Sequence, residues 1–527
     1  MTIRKRNISL EKDNIGSVPC QSLKVNSWIA LLLRNKFLIA LIIRLSSVFL
    51  TKTFFVPDEY WQSTEIAHRK VFGYGYVTWE WKEKIRSYLH PFVFELYFHM
   101  LKSCQLDTTN AVVFGPHILQ AFLTAICDVS VYYLCLKIYN NTNIATISFT
   151  LQLSSWFVYY TGSRTLSNTA EMCFACIGLS FFPFFRASEY DSDRKQRGNN
   201  LCLALLFGGI ACIIRPTSLI IFGVLFLSAL NRGGFISNFI ASGVKVFPCL
   251  LVLSFGVDFY YNQEFCLVHW NFFKFNVFQN LSGFYGVHSF HWYLTQGLPV
   301  VLFVHIIFVV CGFCYGKKNS VISLITVLYV VIHSLIEHKE FRFLLPIVPL
   351  IMCIAGPGLQ ELSKSFKCKQ TTLLLITLLM NIFPVTYFSV IHQKGVLDVV
   401  KYLRHEIETG KDIDVLYLMP CHSTPYYSYI HCNISMKFLT CQPNQTNGYI
   451  EEAKKFYANP SEWLEMEVVN NKLYNPTHVV AFDVLAQNAK DVLALSGYFK
   501  EITFFHSHFP EGRVGQYVDV YQKQDVT

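Results

Sequence analysis

The sequence predicts an α-helical protein that crosses a membrane many times. Of its 527 residues, 52% are hydrophobic and 16% are aromatic, while the four charged types supply only 15%. Ordinary globular proteins carry about 25% charged residues. A water-soluble chain of this length could not bury so much apolar surface. The composition therefore excludes an intrinsically disordered chain and an ordinary soluble enzyme.

The net charge of +9 does not indicate a nucleic-acid-binding protein. Lys and Arg occur in short groups between apolar stretches, which is where membrane proteins keep cytoplasmic charge. A basic stripe with interleaved aromatic residues on one soluble face is not evident.

The membrane segments begin after a polar tail, residues 1–35, which we expect in the cytoplasm. A span needs about 20 mainly apolar residues, and Lys36–Thr53 is the first candidate, an uncleaved signal anchor. The later candidates are 90–103, 111–137, 143–160, 168–186, 201–215, 216–230, 240–261, 298–315, 320–337, 343–360 and 371–391. We therefore predict a membrane domain over 36–391 with 11–13 membrane segments. The predicted orientation requires an odd number of crossings between 90 and 185, but four apolar segments lie there. One of these segments is therefore re-entrant or interfacial.

Basic groups between the spans predict the orientation. They place a first loop (54–89), a second loop (262–297) and the C-terminal part (392–527) on the lumenal side. The sequons at Asn280, Asn433 and Asn444 fall in these regions. The C-terminal part predicts a small α/β domain, with strands near Asp414–Met419, His478–Asp483 and Tyr517–Tyr521.

Three motifs of the predicted lumenal side carry polar or aromatic residues suited to chemistry. In the first loop, Asp58 and Glu59 follow Pro57; they suit a general base or metal ligand, or equally the start of an interfacial helix. Trp79 and Trp81 lie in a run of alternating glycines and aromatics further along this loop, and their rings suit stacking on sugars or an interfacial aromatic belt.

The second loop contains His288 and His291. No third ligand lies nearby, so the pair predicts a polar pocket wall instead of a metal site. The third motif, His338-Lys339-Glu340-Phe341-Arg342-Phe343, lies between two apolar spans. Lys339 and Arg342 are three residues apart and are expected to face together toward a phosphate; a charged interfacial turn is the alternative.

Four charged residues fall within the predicted spans, where charge is costly. They are Asp128, Arg164, Glu171 and Arg215. We expect them to pair or to face a cavity. Of the 17 cysteines, Cys421, Cys432 and Cys441 lie in the hydrophilic C-terminal part, where two of them can form a disulfide.

These features together predict a membrane group-transfer enzyme acting on a phosphate-activated group delivered in lipid. Here the sequence resembles a known family. Pro57-Asp58-Glu59, the run from Phe72 to Trp81 and the segment from His338 to Pro346 resemble the membrane mannosyltransferases that use dolichyl-phosphate mannose, glycosyltransferase family 22. Many members have His where Val56 stands, which weakens a role for that position and not for Asp58.

The His-Lys-Glu-x-Arg-Phe signature belongs to the members that act on N-glycan and GPI-anchor precursors. Val56–Ser63, Thr78–Trp81, Arg164–Asn168 and Met419–Pro425 are most similar to the branch that adds the third mannose of the GPI core through an α1,2 linkage. The resemblance implies a GT-C type fold, an endoplasmic reticulum membrane location, a lipid-linked donor, a GPI glycolipid acceptor and no metal cofactor.

The resemblance also implies residue roles. Asp58 is the expected general base, with Glu59 as a less certain partner. The expected residues for donor phosphate and substrate binding are Arg342, Lys339, His338, His291, Gln62, Trp79 and Trp81. Two alternatives stay open: a sibling mannosyltransferase acting on the fourth GPI mannose or the N-glycan precursor, and a polytopic lipid or solute transporter, for which no internal repeat is evident.

Overall fold

The computed structural model is helical over most of its length and ends in a small sheet. It describes residues 35–184, 194–232, 234–275, 286–315, 320–443, 449–469 and 475–524. Most of the N-terminal tail, the sequons at Asn280 and Asn444 and the residues 276–285 of the second loop lie outside the described residues.

The helices before the sheet follow the predicted apolar segments. In chain order they are α1 (Lys36–Leu50), α2 (Glu65–Phe72), α3 (Trp79–Lys82), α4 (Leu89–Ser103), α5 (Thr109–Tyr139), α6 (Thr142–Ser154), α7 (Trp156–Thr161), α8 (Ser167–Phe181), α9 (Arg194–Ile214), α10 (Ser218–Ala229), α11 (Phe235–Asn262), α12 (Val268–Phe273), α13 (Leu298–Leu302), α14 (His305–Tyr315), α15 (Ser320–Leu335), α16 (Val348–Ser365), α17 (Gln370–Thr386) and α18 (Gly395–Glu408). Short π-helical turns occupy Tyr60–Thr64, Tyr293–Gly297 and Tyr387–Ile391, and a 3₁₀ helix spans Phe341–Ile347.

Polar residues set several helix ends. The Asn35 side chain accepts a hydrogen bond from the Leu38 amide at 3.1 Å and so begins α1. Between α5 and α6, Asn140 adopts a left-handed conformation with φ 50°, which ends α5, and Asn141 accepts from the amides of the first turn of α6. These are the residue types that helix ends favour.

By length and composition, four helices of the described residues can each cross a membrane. They are Thr109–Tyr139, Phe235–Asn262, Phe341–Ser365 and Gln370–Glu408. The pair α13 and α14 makes a fifth only as a broken span, bent by 115°. Shorter apolar helices add to this membrane body, and the expected total of 11–13 segments stays a prediction.

Two predicted segments are interrupted. The segment expected over 143–160 breaks between α6 and α7, where the Asn381 side chain accepts a hydrogen bond from the Trp156 amide at 3.1 Å. The segment expected over 298–315 bends at Phe303, which has φ 47°. At the first place a tertiary contact replaces the helical hydrogen bonds, and at the second a local backbone turn replaces them.

Buried ion pairs connect the helices. Arg44 and Asp128 are both fully buried and lie 2.7 Å apart, joining α1 to α5. Arg215 lies 3.3 Å from Glu171, joining the end of α9 to α8. The expectation that the charged residues of the spans pair is therefore confirmed. Removing one partner of such a pair leaves a buried, uncompensated charge.

The C-terminal part contains a five-stranded sheet. Its strands are β1 (Asp414–Leu418), β2 (Ser435–Phe438), β3 (His478–Phe482), β4 (Tyr498–Phe505) and β5 (Tyr517–Lys523). The order is β2-β1-β3-β5-β4, with β1 parallel to β2 and β3, and β5 antiparallel to β3 and β4. Helices including α19 (Tyr427–Ile430) and α22 (Gln487–Leu495) accompany it. The three predicted strands are confirmed, and β2 and β4 are additional.

A disulfide lies at the carboxyl ends of the parallel strands. Cys421, which follows β1, is bonded to Cys441, which follows β2, with Cα atoms 5.9 Å apart. Cys432 is a free thiol. Of the three pairings that were possible among Cys421, Cys432 and Cys441, the pairing of Cys421 with Cys441 is the one formed.

Candidate active site

The first loop begins with a short helical segment, which carries Asp58 and Glu59. The amides of Tyr60 and Trp61 both donate to the Pro57 carbonyl at 3.1 Å, and a π-helical turn over Tyr60–Thr64 follows. This wide turn changes the helical register. Asp58 and Glu65, which are seven residues apart, therefore do not lie two α-helical turns apart on one face, because that spacing requires 3.6 residues per turn throughout.

The two adjacent carboxylates have different partners. Glu59 is 1% exposed, and its Oε2 accepts from Arg164 Nη1 at 2.6 Å. Arg164 also donates to the Thr53 carbonyl at 2.9 Å. Glu59 thus anchors the loop to the membrane body. The Asp58 side chain is 15% exposed and faces Arg342, which contacts its Oδ2.

Arg342 joins the third motif to Asp58. Its Nε donates to Glu340 Oε2 at 2.7 Å and its Nη2 to Glu340 Oε1 at 2.5 Å, while Nη1 contacts Asp58. His338 Nε2 donates to Glu340 Oε1 at 3.0 Å. Burial alone would raise the pKa of Glu340, but Arg342 and His338 hold that pKa well below its usual value. The motif is therefore a preorganised network around one carboxylate.

Lys339 does not face the same way as Arg342. Its ammonium donates to the carbonyl oxygens of His288, at 2.9 Å, and Ile336, at 2.6 Å, and the residue is 3% exposed. The expected shared face is wrong because the segment from Ile336 to Glu340 is not helical. Lys339 instead fastens the second loop to the third motif.

A basic cleft lies beside Asp58. We define it by the lining residues Gln62, Trp81, Arg86, His90, Ser167, Arg215 and His269. Arg86 Nη2 lies 3.8 Å from Asp58 Oδ2. Arg215 Nη1 donates to Ser167 Oγ at 3.2 Å. Two guanidinium groups in one cleft suit a phosphate, which arginine binds with paired hydrogen bonds.

His90 is a further polar group of the basic cleft. It is 6% exposed, and among the described residues neither ring nitrogen has a hydrogen-bond partner. An unpartnered buried imidazole costs free energy unless a ligand or water satisfies it. Arg86 and His90 were not predicted as site residues. Arg215 was noted only for its costly charge within a predicted span.

The remaining predicted site residues divide between the basic cleft and the surface. Gln62 Nε2 donates to Glu80 Oε1 at 3.1 Å, and the Trp81 ring packs on Tyr88 with centroids 4.4 Å apart. Trp79 is buried against Phe275, at 5.1 Å, and is not among the residues that line the cleft. His291 is exposed and contacts Ser289 Oγ at 3.2 Å.

The C-terminal part packs on the first loop through Trp61. The Trp61 indole donates to the Thr424 carbonyl at 2.9 Å, and its ring lies 4.5 Å from that of His422 and 5.1 Å from that of Phe438. His422 has φ 60°. Burial lowers its pKa even though the carboxylates of Glu80 and Asp58 act to raise it.

A second contact between these parts involves a buried acid. The Ser428 amide donates to Glu65 Oε2 at 2.8 Å, and the Tyr76 amide to Glu65 Oε1 at 3.2 Å. Burial raises the pKa of Glu65 to about 7, and the two amides oppose this shift. The carboxyl group therefore connects the loop that carries Asp58 to the helix that follows β1.

The metal-ligand geometry of the described residues is limited to one cluster, Cys421, His422 and Cys441. Two of its three members form the disulfide. A disulfide leaves no thiolate to bind a metal, so this cluster does not fit a metal site.

The arrangement of helices matches that of solved membrane glycosyltransferases. ArnT from Cupriavidus metallidurans, in its crystal structure bound to undecaprenyl phosphate, aligns with a TM-score of 0.62 at 12% identity, over 94% of this chain and 97% of that one. The Archaeoglobus fulgidus oligosaccharyltransferase aligns with a TM-score of 0.51 at 11% identity, over 95% and 74%. The fold is that of the GT-C glycosyltransferases, as predicted.

Comparison of sequences identifies the family of the chain. The Alg9-like mannosyltransferase family matches residues 36–431, and the chain belongs to that family. A mouse relative named GPI alpha-1,2-mannosyltransferase 3 is 38% identical, over 94% of this chain and 90% of its own length. GPI mannosyltransferase 3 of Drosophila melanogaster is 38% identical over 86% and 80%, and that of Candida albicans 31% over 90% and 94%.

Proposed function

We propose that this chain transfers mannose from dolichyl-phosphate mannose to the second mannose of a GPI-anchor precursor, adding the third mannose through an α1,2 linkage. The names of its relatives in mouse, fly and yeast support this activity. The observation that carries the proposal is the contact between Asp58 and Arg342, which joins two signature motifs at the edge of the basic cleft.

The proposed reaction is a single displacement that inverts the sugar carbon. The donor mannose is β-linked to phosphate and the product is α-linked. Asp58 takes the proton of the acceptor 2-hydroxyl as that oxygen bonds to C1, and the bond from C1 to the phosphate oxygen breaks with its electron pair. Oδ2 of Asp58 faces Arg342 and Arg86, and no described residue donates to Oδ1. Oδ1 is the oxygen that accepts the proton.

The departing dolichyl phosphate needs charge stabilisation and no proton. Arg86 and Arg215 line the cleft, and Arg342 lies beside it. Fixed cations placed where charge develops lower the barrier without reorganisation during the reaction. Gln62 and Trp81 are the lining residues suited to the sugar, and Lys339 and His338 hold the protein groups in position.

The proposal includes no metal cofactor, because the guanidinium groups supply the cationic charge. The purified chain is expected to transfer mannose in excess chelator. Transfer that returns only when a divalent cation is added would overturn this part.

We place the enzyme in the endoplasmic reticulum membrane with the basic cleft facing the lumen. The sign of the loop charges and the activity of its relatives support this placement. Protease treatment of sealed microsomes tests it: a tag after Thr527 is expected to be protected until detergent is added, and cleavage in sealed vesicles would contradict the orientation.

The experiment for the activity uses cells that lack the third GPI mannosyltransferase. Wild-type chain and Asp58→Asn are compared at equal expression for surface GPI-anchored proteins and for the accumulating two-mannose lipid. Wild type is expected to restore both, and Asp58→Asn to restore neither. Failure of the wild type, with a changed N-glycan precursor profile, would assign the chain to a sibling activity.

A further inference from the structure

A second pocket is lined by Glu59 and Tyr60, the two residues that follow Asp58. It is bordered by the end of α1, the start of α5 and helix α18 of the C-terminal part. The buried pair of Glu59 and Arg164 lines it. We call it the interfacial pocket, because helices of the membrane body and of the C-terminal part both contribute to it.

One side of the interfacial pocket is apolar and exposed. Phe49 and Phe114 line it with ring centroids 6.3 Å apart, and they are 59% and 38% exposed. Both belong to helices of the membrane body, on which exposed phenylalanines favour contact with lipid chains. The pocket therefore has an opening suited to acyl chains.

Lysines give the same pocket an excess of positive charge. Lys52 and Lys401 both line it. Lys401 Nζ lies 3.6 Å from Asp398, which Lys394 also contacts at 3.1 Å. Among the described residues, no carboxylate pairs with Lys52. Lys394 and Lys401 thus share one carboxylate, and Lys52 adds a further positive charge that acts on Lys401, so a bound anion would relieve the repulsion between Lys52 and Lys401.

Two buried phenols point to a ligand with hydrogen-bond acceptors. Tyr60 and Tyr429 line the pocket, are 5% and 7% exposed, and have ring centroids 5.9 Å apart. In the described part of the chain, neither hydroxyl makes a hydrogen bond to another residue. Neither oxygen is among the fully enclosed polar atoms that lack a partner, so both hydroxyls are open to the pocket and can donate to a group bound there.

We propose that the interfacial pocket binds the phosphodiester headgroup of an anionic membrane lipid. Lys52 and Lys401 contact the phosphate, the hydroxyls of Tyr60 and Tyr429 donate to headgroup oxygens, and the acyl chains leave past Phe49 and Phe114. A lipid bound here connects α1 to α18 next to the segment that carries Asp58. The lipid is either the glycolipid acceptor or a bulk anionic phospholipid, since both present this chemistry.

The test measures lipid binding by the purified full chain, independently of transfer. Nanodiscs with equal amounts of phosphatidylinositol and phosphatidylcholine supply the lipids, and native mass spectrometry counts those retained after release. Wild type is expected to retain phosphatidylinositol preferentially. Lys52→Gln/Lys401→Gln removes two charge-assisted contacts and is expected to lower this preference about 100-fold, since each contact contributes about tenfold. Tyr429→Phe removes one hydroxyl and is expected to weaken retention less.

The matched control is Lys454→Gln/Lys455→Gln, which removes the same charge from exposed residues that do not line the pocket. Equal retention of both lipids by wild type, or unchanged retention by the double pocket variant, would overturn the proposal. Adding the two-mannose acceptor distinguishes the sources. If the acceptor displaces phosphatidylinositol and the pocket variant has a raised KM for acceptor, the lipid that occupies the pocket is the acceptor. If phosphatidylinositol is retained and the KM is unchanged, the lipid that occupies the pocket is a bulk phospholipid. Because binding is read without turnover, its failure is separable from failure of the proposed transferase activity.

Discussion

Arg342 contacts Asp58 with one guanidinium nitrogen while its other two nitrogens hold Glu340. The first loop and the segment between α15 and α16 are thereby fixed to each other at one point. Because Glu340 is itself held by His338, the orientation of the Asp58 side chain depends on residues of the third motif, which lies far from Asp58 in the sequence.

Arg342→Lys is expected to lower kcat by roughly 100-fold or more. A lysine has one ammonium group on a flexible stem and cannot hold Glu340 with two nitrogens while contacting Asp58. Misplacing a catalytic group by about 1 Å costs about 100-fold. Transfer by purified protein measures the effect, with Arg404→Lys, a change in the exposed pair with Glu408, as the control. An unchanged kcat in Arg342→Lys would show that the simultaneous contacts of Arg342 with Glu340 and Asp58 are not needed for transfer.

Glu59→Gln is expected to destabilise the fold. Arg164 is 2% exposed and would keep its charge without the carboxylate 2.6 Å away. Breaking a buried pair on one side costs about 3–5 kcal/mol. Thermal unfolding in detergent checks this, with Glu408→Gln as a surface control. An unchanged Tm combined with lost transfer would instead give Glu59 a chemical role.

Arg86→Gln is expected to raise the KM for the lipid donor about tenfold, because one charge-assisted contact to phosphate is lost. Arg86 lines the basic cleft and lies 3.8 Å from Asp58. Arg69→Gln, in an exposed residue of the same loop that contacts the Gly75 carbonyl, is the control. An equal donor KM in wild type and Arg86→Gln would remove Arg86 from the donor site.

The membrane helices were predictable because lipid requires long apolar runs. The segment expected over 111–137 is helix Thr109–Tyr139, for example. The break before Trp156 was not predictable, because its hydrogen-bond partner Asn381 is distant in sequence. Strand β4 was missed because only Tyr498 of its eight residues is buried, so it lacks the buried run that marked β1 and β3.

The motifs of the candidate site were predictable from the sequence, but the contacts between their side chains were not. Asp58 and Glu59 are neighbours in a recognisable motif, yet tertiary contacts direct one to Arg342 and the other to Arg164. No local pattern distinguishes the two carboxylates. Arg86 and His90 carry no motif of their own, and only the folded chain brings them to one cleft. The assigned roles of these residues stay predictions.

Glu65 is expected to make stability depend on pH. Its pKa is raised from 4.5 to about 7 in the folded chain, so between these values the folded state keeps a proton that the unfolded state has released. Stability from this group is therefore present below about pH 4.5 and is lost as pH rises through about 7. Glu65→Gln is expected to show a smaller fall of Tm between pH 5 and pH 8 than wild type. Glu83→Gln, in an exposed residue of the same loop, is the control, and parallel Tm curves for wild type and Glu65→Gln would contradict the prediction.

Cys421→Ser is expected to lower both the Tm and the transfer rate. The disulfide to Cys441 spans a sequence separation of 20, and closing a loop of that size contributes about 3 kcal/mol in the chain-entropy description. It also fixes the segment that places His422 against Trp61 and lets the Thr424 carbonyl accept from the indole, so its loss loosens the loop that carries Asp58. Cys432→Ser removes the free thiol and is expected to change neither Tm nor rate. A reductant is expected to lower the Tm of wild type toward that of Cys421→Ser and to leave Cys421→Ser unchanged; equal Tm values for the two serine variants would show that the disulfide does not support this part of the fold.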